Sequence, residues 1–460
     1  MKIKNTDSSR FFINKILETK GMTQIVNEDA AGIDISSKEM VVAIGKERSK
    51  DPIRTFKSFT SDLHELANWL LLHGITTVAM ESTGVYWYHL YTVLEAYGIE
   101  VSLVNAQHVK RVPSRKSDVN DAQWLQQLHS FGLLRSCFQP DNLTRSLRNS
   151  VRLRKQTIKE ISRQILRMQK AMEQMNIKLH TVINDITGKT GMAIIGAILQ
   201  GERNAAKLSS LCDKGIRASK EIIIKSLEGN WREEQLFNLK MAYEHLMFLQ
   251  GQLEQCDQES ERIIQQFDQL QDKEIKGNRR AKNQPKFKVE QYLSNICGVD
   301  VTKIPGIKST TALTIFSEIG PNLKGKFPTE KQFLSWLNVV PDNEITGGKI
   351  VKSRIKKKKN RAGQAFREAA NALWQAKNPL GETLRKKKSK SGSNRAIVFM
   401  ARKIASIYYK MVTEREEYDV SKIMKHIDRN IQNKIIYLEQ LTAKLKSQLT
   451  ENQATAKVVI

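Results

Sequence analysis

The chain has 460 residues, which is more than one hydrophobic core usually organises, so two to four structural units are expected. Lys and Arg number 75 against 48 Asp and Glu, and the formal charge of +27 is typical of proteins that bind polyanions such as nucleic acids. No apolar run approaches the roughly 20 residues that a membrane span needs, and the N-terminus lacks the pattern of a secretory signal, so we expect a cytoplasmic protein without a membrane partner. The four cysteines lie far apart without a CxxC pair, which argues against a disulfide framework or a structural zinc site and predicts ordinary thiols.

Residues from about 30 to 135 alternate between strand and helix patterns. The apolar runs AGIDIS and MVVAIG flank the turn-like SSKE and predict a hairpin, which the candidate strand IRTFKSF follows. Next come the helix DLHELANWLLLH, the strand TTVAMES, the helix VYWYHLYTVLEAYG and the strand EVSLVNA. The order predicts an α/β domain whose mixed sheet has an antiparallel edge and parallel later strands.

A change of composition near residue 145 marks the first of two long helices. Apolar residues at alternating steps of three and four predict a heptad seam on each. The seams are Ile158, Ile161, Ile165, Met168, Met172 and Met175 on the first helix, and Leu239, Ala242, Leu246, Leu249, Leu253 and Cys256 on the second. The helices can pair with each other or meet copies from another subunit. We expect an antiparallel pair used for dimerisation, with a small insertion at its distal tip.

A second globular unit is predicted after the basic stretch KGNRRAKNQPKFK at 276–288. It begins with IPGIKSTTALTIFSEIGP at 304–321, where a Pro-Gly turn precedes an apolar helix in the style of a helix-hairpin-helix element. Further helical segments make this unit mainly α. The predicted organisation is an N-terminal extension (1–28), an α/β domain (29–145), a coiled-coil dimerisation region (146–275) with an insertion at 180–232, a basic linker (276–290), a C-terminal domain (291–415) and a helical tail (416–460).

Four acidic residues lie where the predicted α/β fold brings them together. Asp34 is in the first strand, Glu81 ends the strand TTVAMES, and Asp118 and Asp121 open the helix after the last strand. The first strand should lie centrally beside the strand of Glu81, and the i, i+3 spacing puts the other two acids on one helix face. Considered by itself, each acid is interpreted as a solvated surface charge, and Asp118 also as a helix cap. Two of them lie inside or at the end of apolar strands, where an ionised group is costly unless it is liganded.

The shared chemistry of these acids predicts a metal site. Carboxylate oxygens suit Mg²⁺ and Mn²⁺, and the four acids include none of the nitrogen or sulfur donors that favour zinc. A metal pair can activate an attacking oxygen and stabilise a leaving one in phosphoryl transfer. We therefore predict Mg²⁺ or Mn²⁺ as the cofactor. The neighbouring aromatic residues Tyr86, Trp87 and Tyr88 can stack on unpaired bases, although packing of their helix on the sheet is the better interpretation.

A family resemblance rests on these same segments. AGIDISSKEMVVAI, AMESTGVYWYHLYTVLEAYGIEVSLVNAQHVKRV and SRKSDVNDAQWLQQL resemble the RuvC-like domain of the DEDD insertion-sequence transposases. IPGIKSTTALTIFSEIGP, FLSWLNVVPDNEITGGK and NRAGQAFREAANAL are similar to the C-terminal transposase domain of that family. The family includes the pilin-gene-inverting recombinases and the bridge-RNA-guided recombinases. The resemblance implies a RuvC/RNase H-like mixed sheet and a recombinase that acts on DNA at element ends, junctions and targets.

The resemblance also implies a hybrid active site. The metals of the acidic cluster would assist a hydroxyl nucleophile from the C-terminal domain, which becomes covalently joined to DNA. The family usually has Ser in the segment written here as PDNEITGGK, whereas this chain has Thr346. The extra methyl of threonine restricts rotamers and crowds an in-line attack. We expect the segment that carries the nucleophile to be a loop. Ser353 is the second candidate for the nucleophile, and the non-catalytic interpretation of either residue is a loop hydroxyl that bonds its own backbone.

Two basic runs are expected to contact phosphates, which positions a nucleic acid without defining its sequence. They are KSRIKKKKNR and RKKKSKSGSNR, and the residues expected to bind are Lys352, Arg354, Lys356, Lys357, Lys358, Lys359, Arg361, Arg385, Lys386, Lys387, Lys388 and Arg395. The alternative is a pair of solvated lysine-rich loops.

Three functions fit the sequence. The first is a transposase that forms a covalent hydroxyl intermediate, and the second is a metal-dependent, RuvC-like structure-specific nuclease in which water attacks. The third is a non-catalytic coiled-coil scaffold with a degenerate site. The expected partners are DNA, a structured guide RNA that the resemblance implies, and further copies of the chain, as a dimer or a tetramer. A guide RNA would explain target choice, because the chain has many basic residues that can bind phosphate but no clear zinc finger or helix-turn-helix element that reads bases.

Overall fold

The computed structural model of the chain describes residues 25–82, 84–105, 121–213, 215–275, 282–356, 360–421, 432–433 and 435–448. The chain divides into two compact units, residues 1–139 and 140–460. Among the described helices, none combines the length and the hydropathy that a bilayer crossing requires. All four cysteines are free thiols, as predicted.

The N-terminal unit is built on one five-stranded sheet. Its strands are β1 (Ala30–Ile35), β2 (Glu39–Ala43), β3 (Ile53–Lys57), β4 (Thr77–Glu81) and β5 (Glu100–Val104), in the spatial order β3-β2-β1-β4-β5. The pairs β1–β2 and β2–β3 are antiparallel, whereas β1–β4 and β4–β5 are parallel. The mixed sheet with β1 at its centre confirms the prediction from the order of strand and helix patterns.

Three described helices cover the two faces of this sheet. They are α1 (Thr60–Leu72), α2 (Trp87–Ala96) and α3 (Asp121–Ser130). Apolar residues of α1 and α2, such as Leu66 and Leu90, share a buried core with Ile33 of β1. Gly32 of β1 instead meets the backbone of α3. Because alternate residues of a strand face opposite sides, α3 lies on the other face of the sheet.

The aromatic residues at the start of α2 differ from the prediction. Trp87 is half-buried and packs against the core of the sheet domain, but Tyr86 and Tyr88 are 45% and 39% exposed. The prediction that the three rings pack on the sheet is therefore wrong for the two tyrosines. Helical geometry explains the difference, because neighbouring positions are about 100° apart and one helix cannot bury three consecutive side chains against one surface.

The C-terminal unit is mainly helical, as predicted, with one added β-hairpin. Its helices are α4 (Asn142–Gln174), α5 (Leu179–Val182), α6 (Lys189–Leu199), α7 (Ala205–Ser210), α8 (Lys220–Leu227), α9 (Glu233–Ile264), α10 (Val289–Cys297), α11 (Ser309–Ile319), α12 (Leu323–Lys326), α13 (Glu330–Trp336), α14 (Arg361–Asn371), α15 (Pro379–Ser391) and α16 (Ser393–Glu414). A 3₁₀ turn spans Val301–Lys303, and the hairpin consists of β6 (Asp342–Thr346) and β7 (Lys349–Arg354). Residues 435–448 are helical.

The two long helices, α4 and α9, run antiparallel within one chain. The Ser150 hydroxyl lies 2.8 Å from that of Ser260 near one end of the pair, while Met172 and Leu239 share a core near the other. Both predicted apolar seams contribute to that core, together with residues of α5–α8. Because the seams are buried against each other, a contact between copies of the chain needs other surfaces.

A buried ion pair joins α4 to α9. The side chains of Arg154 and Asp257 are only 3% and 4% exposed. The Asp257 carboxylate also accepts a hydrogen bond from the Lys286 backbone, and the Arg154 guanidinium donates to the Asn283 carbonyl at 3.0 Å. Removal of the carboxylate would leave a buried, unpaired guanidinium, which is far more costly than loss of an exposed pair.

We expect Asp257→Ala to lower the free energy of unfolding by about 3–5 kcal/mol. The matched control is Glu259→Ala on the same helix, where the Arg262–Glu259 pair is exposed and its loss should cost under about 1 kcal/mol. Denaturant unfolding followed by circular dichroism measures both. Equal stability losses in the two variants would show that burial of the Arg154–Asp257 pair contributes nothing.

The turn at Pro305-Gly306 is a packing element between helices. Gly306 has a φ of +94°, and a Cβ at this position would lie 2.4 Å from the Ala369 carbonyl oxygen of α14. Glycine is therefore required both by the backbone conformation and by the close approach. The core of this unit contains the fully buried rings of Phe316, Phe366 and Tyr408 from α11, α14 and α16.

Candidate active site

Two of the four predicted acids occupy neighbouring strands at the centre of the N-terminal sheet. Ile33 of β1 pairs with Met80 of β4 in parallel register, so Asp34 and Glu81 directly follow this pair. Register partners in parallel strands project to the same side, and both carboxylates therefore lie on the face opposite to Ile33. Both acids are half-buried.

The third acid reaches the same face because α3 packs unusually close to β1. A Cβ on Gly32 would lie 2.3 Å from the Ala122 carbonyl oxygen and 2.3 Å from the Gln126 backbone nitrogen. Any larger residue at Gly32 would push the helix away from the strand. Asp121 is the first residue of α3, and Asp34 lies two residues beyond Gly32, on the same side of the sheet. The close packing brings Asp121 near Asp34.

The electrostatics of Asp34 agree with this proximity. The pKa of Asp34 is raised above its ordinary value of 3.8, first because burial penalises the charged form and second because the Asp121 carboxylate repels it. A hydrogen bond from the Ile35 backbone opposes the shift. Two hard-oxygen donors of like charge held near each other are the arrangement that a divalent cation relieves.

The described part of this site consists of three acids. Asp118 lies outside the described residues. Among the residues that are described, no group of three or more His, Cys, Asp or Glu side chains is close enough to hold a metal ion. The donor chemistry fits Mg²⁺ or Mn²⁺, with Asp34 and Asp121 as the interacting pair and Glu81 on the adjacent strand. The structure thus supports a two-carboxylate centre to which further ligands would add.

The raised pKa of Asp34 gives a stability prediction. Since the fold disfavours the ionised form, the contribution of this residue to stability is fully present below its unfolded pKa and is lost as the pH rises through the folded pKa. Without metal at pH 7, we expect Asp34→Asn to raise the melting temperature. The rise should be about 2–4 °C for each kcal/mol by which the free energy of unfolding increases. Thermal melts of both proteins at pH 4 to 8 check this.

Addition of Mg²⁺ supplies the control for that experiment. The ion should raise the melting temperature of the wild-type protein more than that of the Asp34→Asn variant, because it binds the folded state through this carboxylate. A variant that is less stable than the wild type at pH 7 without metal would contradict the assigned repulsion. A variant advantage that stays constant from pH 4 to 8 would do so as well.

The predicted nucleophile segment is a hairpin and not a loop. β6 and β7 pair antiparallel, with Thr346 opposite Lys349 and Ser353 opposite Asn343. Gly347 and Gly348 form the two-residue turn with φ of +56° and +74°. Two consecutive positive φ values are the requirement of a type I′ turn, for which Gly-Gly is suited. The prediction of a loop is therefore wrong, because Gly347-Gly348 permits the tight turn across which β6 and β7 pair.

Thr346 and Ser353 occupy different places on this exposed hairpin. Thr346 is the last residue of β6, beside the turn, whereas Ser353 lies near the far end of β7. Every residue of both strands is exposed, so each hydroxyl is accessible. Among the residues that the structure describes, no side chain lies within hydrogen-bond distance of the Thr346 hydroxyl. Activation of this hydroxyl would therefore have to come from outside the described hairpin.

The first basic run begins within β7 and is partly neutralised by acidic residues of β6. Lys352 pairs with Glu344 at 3.2 Å, and Lys356 pairs with Asp342 at 3.2 Å. Arg354 and Arg361 are exposed. The expected phosphate-binding residues Lys357, Lys358 and Lys359 lie outside the described residues.

The second basic run lies on a helix, since α15 extends to Ser391. Lys388 lies over the Trp374 ring at 4.5 Å and Lys387 over the Phe399 ring at 5.4 Å. Arg385 donates to the backbone carbonyls of Trp374 and Ala376 at 3.1 and 2.9 Å. Lys386 and Arg395 are exposed. The alternative of a solvated loop is wrong for the run up to Ser391.

The sequence predicted the four acids as site residues but not the glycine that brings two of them together. Gly32 was part of the apolar run AGIDIS, and its role follows only from the distance between α3 and β1. A glycine inside a strand pattern is itself a signal of close backbone approach, so the information was available in principle.

Comparison with known proteins gives two family matches. A model of DEDD transposases of the IS110 type, described as Transposase, matches residues 31–177. A model described as Transposase IS116/IS110/IS902 family matches residues 300–405. The first match contains Asp34, Glu81, Asp118 and Asp121, and the second contains the β6–β7 hairpin. No curated protein matches the chain significantly.

Proposed function

The chain belongs to the DEDD-type insertion-sequence transposases of the IS110 family, and on this premise we propose that it cuts and rejoins DNA with a carboxylate-bound metal and a hydroxyl nucleophile. The observation that carries the metal part is the close packing of α3 on Gly32, which holds Asp121 near Asp34 of the central strand. A divalent cation would relieve the repulsion between two carboxylates that lie close together.

The four acids Asp34, Glu81, Asp118 and Asp121 would hold Mg²⁺ or Mn²⁺. When bound, the ions supply charge stabilisation at the attacking and leaving oxygens of a phosphoryl transfer. The protein contributes rigid donors: Asp34 and Glu81 are fixed by the register of β1 and β4, and Asp121 is fixed by the contact of α3 with Gly32. Such preorganisation is the usual source of electrostatic catalysis.

Thr346 is the proposed nucleophile. Its hydroxyl loses a proton, its Oγ forms a bond to the scissile phosphorus, and the bond from phosphorus to the deoxyribose oxygen breaks. The leaving deoxyribose oxygen takes up a proton and becomes a free hydroxyl. In the joining step a DNA hydroxyl attacks the same phosphorus, and Thr346 recovers its proton. The position of Thr346 at the accessible tip of a hairpin supports this role, and Ser353 is the second candidate.

Three partners complete the proposal. DNA at element ends, junctions and targets is the substrate, and its backbone would contact the basic residues of β7, α14 and α15. A structured RNA encoded beside the gene would supply target choice by base pairing. At least two copies of the chain would assemble, because recombination joins two DNA partners. The second candidate function is a nuclease in which water attacks, because metal ions held by the carboxylates could activate water without a protein hydroxyl.

A recombination assay tests this function. Plasmid DNA that carries the gene with its native flanks is incubated with the full-length protein and Mg²⁺ or Mn²⁺, with and without RNA transcribed from those flanks. We expect joined DNA products that require the metal and whose sites follow the RNA. Cleaved but unjoined DNA would favour the nuclease, undiminished joining in a chelator would contradict the metal site, and unchanged site choice without RNA would contradict the guide.

A further inference from the structure

The outer face of α4 carries a row of basic side chains. The row includes Lys159, Arg163 and Lys170, which are exposed and lie four and seven residues apart. At 100° per residue, these positions fall within an arc of about 40° and extend over about 17 Å. The seam that packs against α9, with Ile161 and Met168, is on the opposite side of the helix.

The charged residues of α4 are mostly basic. The helix contains nine Lys and Arg residues against two Glu, whereas its antiparallel neighbour α9 contains two Lys and Arg against seven Asp and Glu. A surface that serves only solubility carries interspersed charges of both signs. Like charges at i, i+4, such as Lys159–Arg163, destabilise a helix. A polyanion would relieve this repulsion.

The N-terminal end of the same face has a structural role. Arg152 donates two hydrogen bonds to the Glu318 carboxylate of α11, at 2.8 and 2.7 Å, and Arg148 donates to the Glu318 carbonyl at 2.9 Å. Lys155 pairs with Glu368 of α14 at 3.4 Å. From Lys159 onward, the basic side chains on this face differ in their ion pairing. Among the described residues, Lys159, Arg163 and Lys170 form no ion pair, so their charge is available to a ligand.

We propose that Lys159, Arg163 and Lys170 form a track that binds the phosphate backbone of a duplex nucleic acid, in addition to the basic residues of β7, α14 and α15. A row of cations along one helix face can follow a phosphate backbone, and phosphate contacts position a nucleic acid without reading its bases. Proteins that bind single strands add aromatic rings for base stacking, and α4 contains no Phe, Trp or Tyr. This inference deepens the proposed function, on which it rests for the presence of nucleic acid.

A second copy of the chain is the competing occupant. It would need a matching row of carboxylates, and the acidic helix α9 is the natural source. The outer face of α9, however, exposes Phe237, Met241 and Phe248 at 51–63% beside Glu244. An apolar face does not complement a row of cations, so the observations favour the nucleic acid.

The test measures binding without catalysis. The triple variant Lys159→Ala, Arg163→Ala, Lys170→Ala is compared in the full-length protein with Lys220→Ala, Lys225→Ala, Lys240→Ala, which removes the same charge from exposed positions on α8 and α9. Dissociation constants for random-sequence duplex DNA, duplex RNA and single strands are measured by fluorescence anisotropy over a range of salt concentrations without divalent metal. A third variant, Lys159→Arg, Arg163→Lys, Lys170→Arg, keeps the charges.

We expect the triple alanine variant to lower the magnitude of the slope of log K against log salt for a duplex by about 2–3. The charge-retaining variant should keep the slope of the wild type. The control variant should change the slope by less than about 1. A loss confined to duplex DNA or to duplex RNA identifies the source and supports the track. Duplex binding equal to that of the control would overturn the proposal, and so would unchanged duplex binding with a loss of dimers in sedimentation. Because no metal is present, failure of the acidic site would leave these results unaffected.

Discussion

Asp121→Asn is expected to lower the rate of DNA strand transfer by about 10²–10⁴-fold, which corresponds to the loss of several kcal/mol of charge stabilisation in the transition state. The change removes one ligand charge and keeps the shape of the side chain. Because Asp121 is exposed at the start of α3, the free energy of unfolding should stay within about 0.5 kcal/mol. Single-turnover kinetics at saturating Mg²⁺ and thermal melts give the two quantities.

The matched control for this variant is Glu100→Gln. Glu100 is an exposed carboxylate of the same sheet and begins β5, where it pairs with Thr77 at the end of the sheet opposite to Glu81. Its loss should leave the rate unchanged. Full activity of Asp121→Asn, or an equal loss in both variants, would remove Asp121 from the metal site.

Thr346→Ala is expected to abolish strand joining, by about 10³-fold or more, because the removal of a covalent nucleophile leaves only binding and electrostatic contributions. Thr346→Ser should retain activity or exceed the wild type, since serine lacks the methyl that restricts the threonine rotamer. Ser353→Ala is the control in the same hairpin. Gel separation of joined, cleaved and intact DNA measures all three variants.

The outcomes of the hairpin variants are mutually exclusive. Loss of joining in Ser353→Ala with activity in Thr346→Ala would transfer the nucleophile role to Ser353. Full cleavage by both variants without joining by the wild type would favour attack by water. Because both residues are exposed on a surface hairpin, neither substitution should affect folding by more than about 0.5 kcal/mol.

The fold of the N-terminal unit could be predicted because its sequence patterns are local. AGIDIS and MVVAIG are apolar runs separated by a short polar turn, and they form β1 and β2. The parallel pairing of β1 with β4 followed from the helix that separates later strands, since parallel neighbours need a crossover connection. The placement of Asp34 beside Glu81 then follows from register alone.

Other features depend on distances that patterns do not contain. The approach of Asp121 to Asp34 depends on Gly32, which admits the α3 backbone to a distance that no Cβ allows. The exposure of Tyr86 and Tyr88 depends on which side of α2 meets the sheet. The hairpin is a different case, because the strands beside Gly347-Gly348 are short, mostly polar and fully exposed, so no burial pattern distinguishes them from a loop.

The first of the long helices, α4, carries an apolar pattern and a basic pattern on opposite faces. The apolar spacing of the two long helices predicted the seam that the structure places between α4 and α9. The same three-and-four spacing also aligns Lys159, Arg163 and Lys170 on the opposite face, and in sequence these cations are dispersed and do not form a run. Charge periodicity on a helix therefore merits the same examination as apolar periodicity.

The identity of the residue that becomes linked to DNA tests the central claim most directly. A DNA substrate nicked beside the cleavage site traps a covalent intermediate, because the short leaving strand diffuses away before it can rejoin. After nuclease and protease digestion, mass spectrometry locates the attached nucleotide. We predict the adduct on Thr346 in the presence of Mg²⁺ and none in the Asp121→Asn variant. Cleavage in ¹⁸O-labelled water that yields labelled DNA phosphates and no protein adduct would contradict the proposed mechanism.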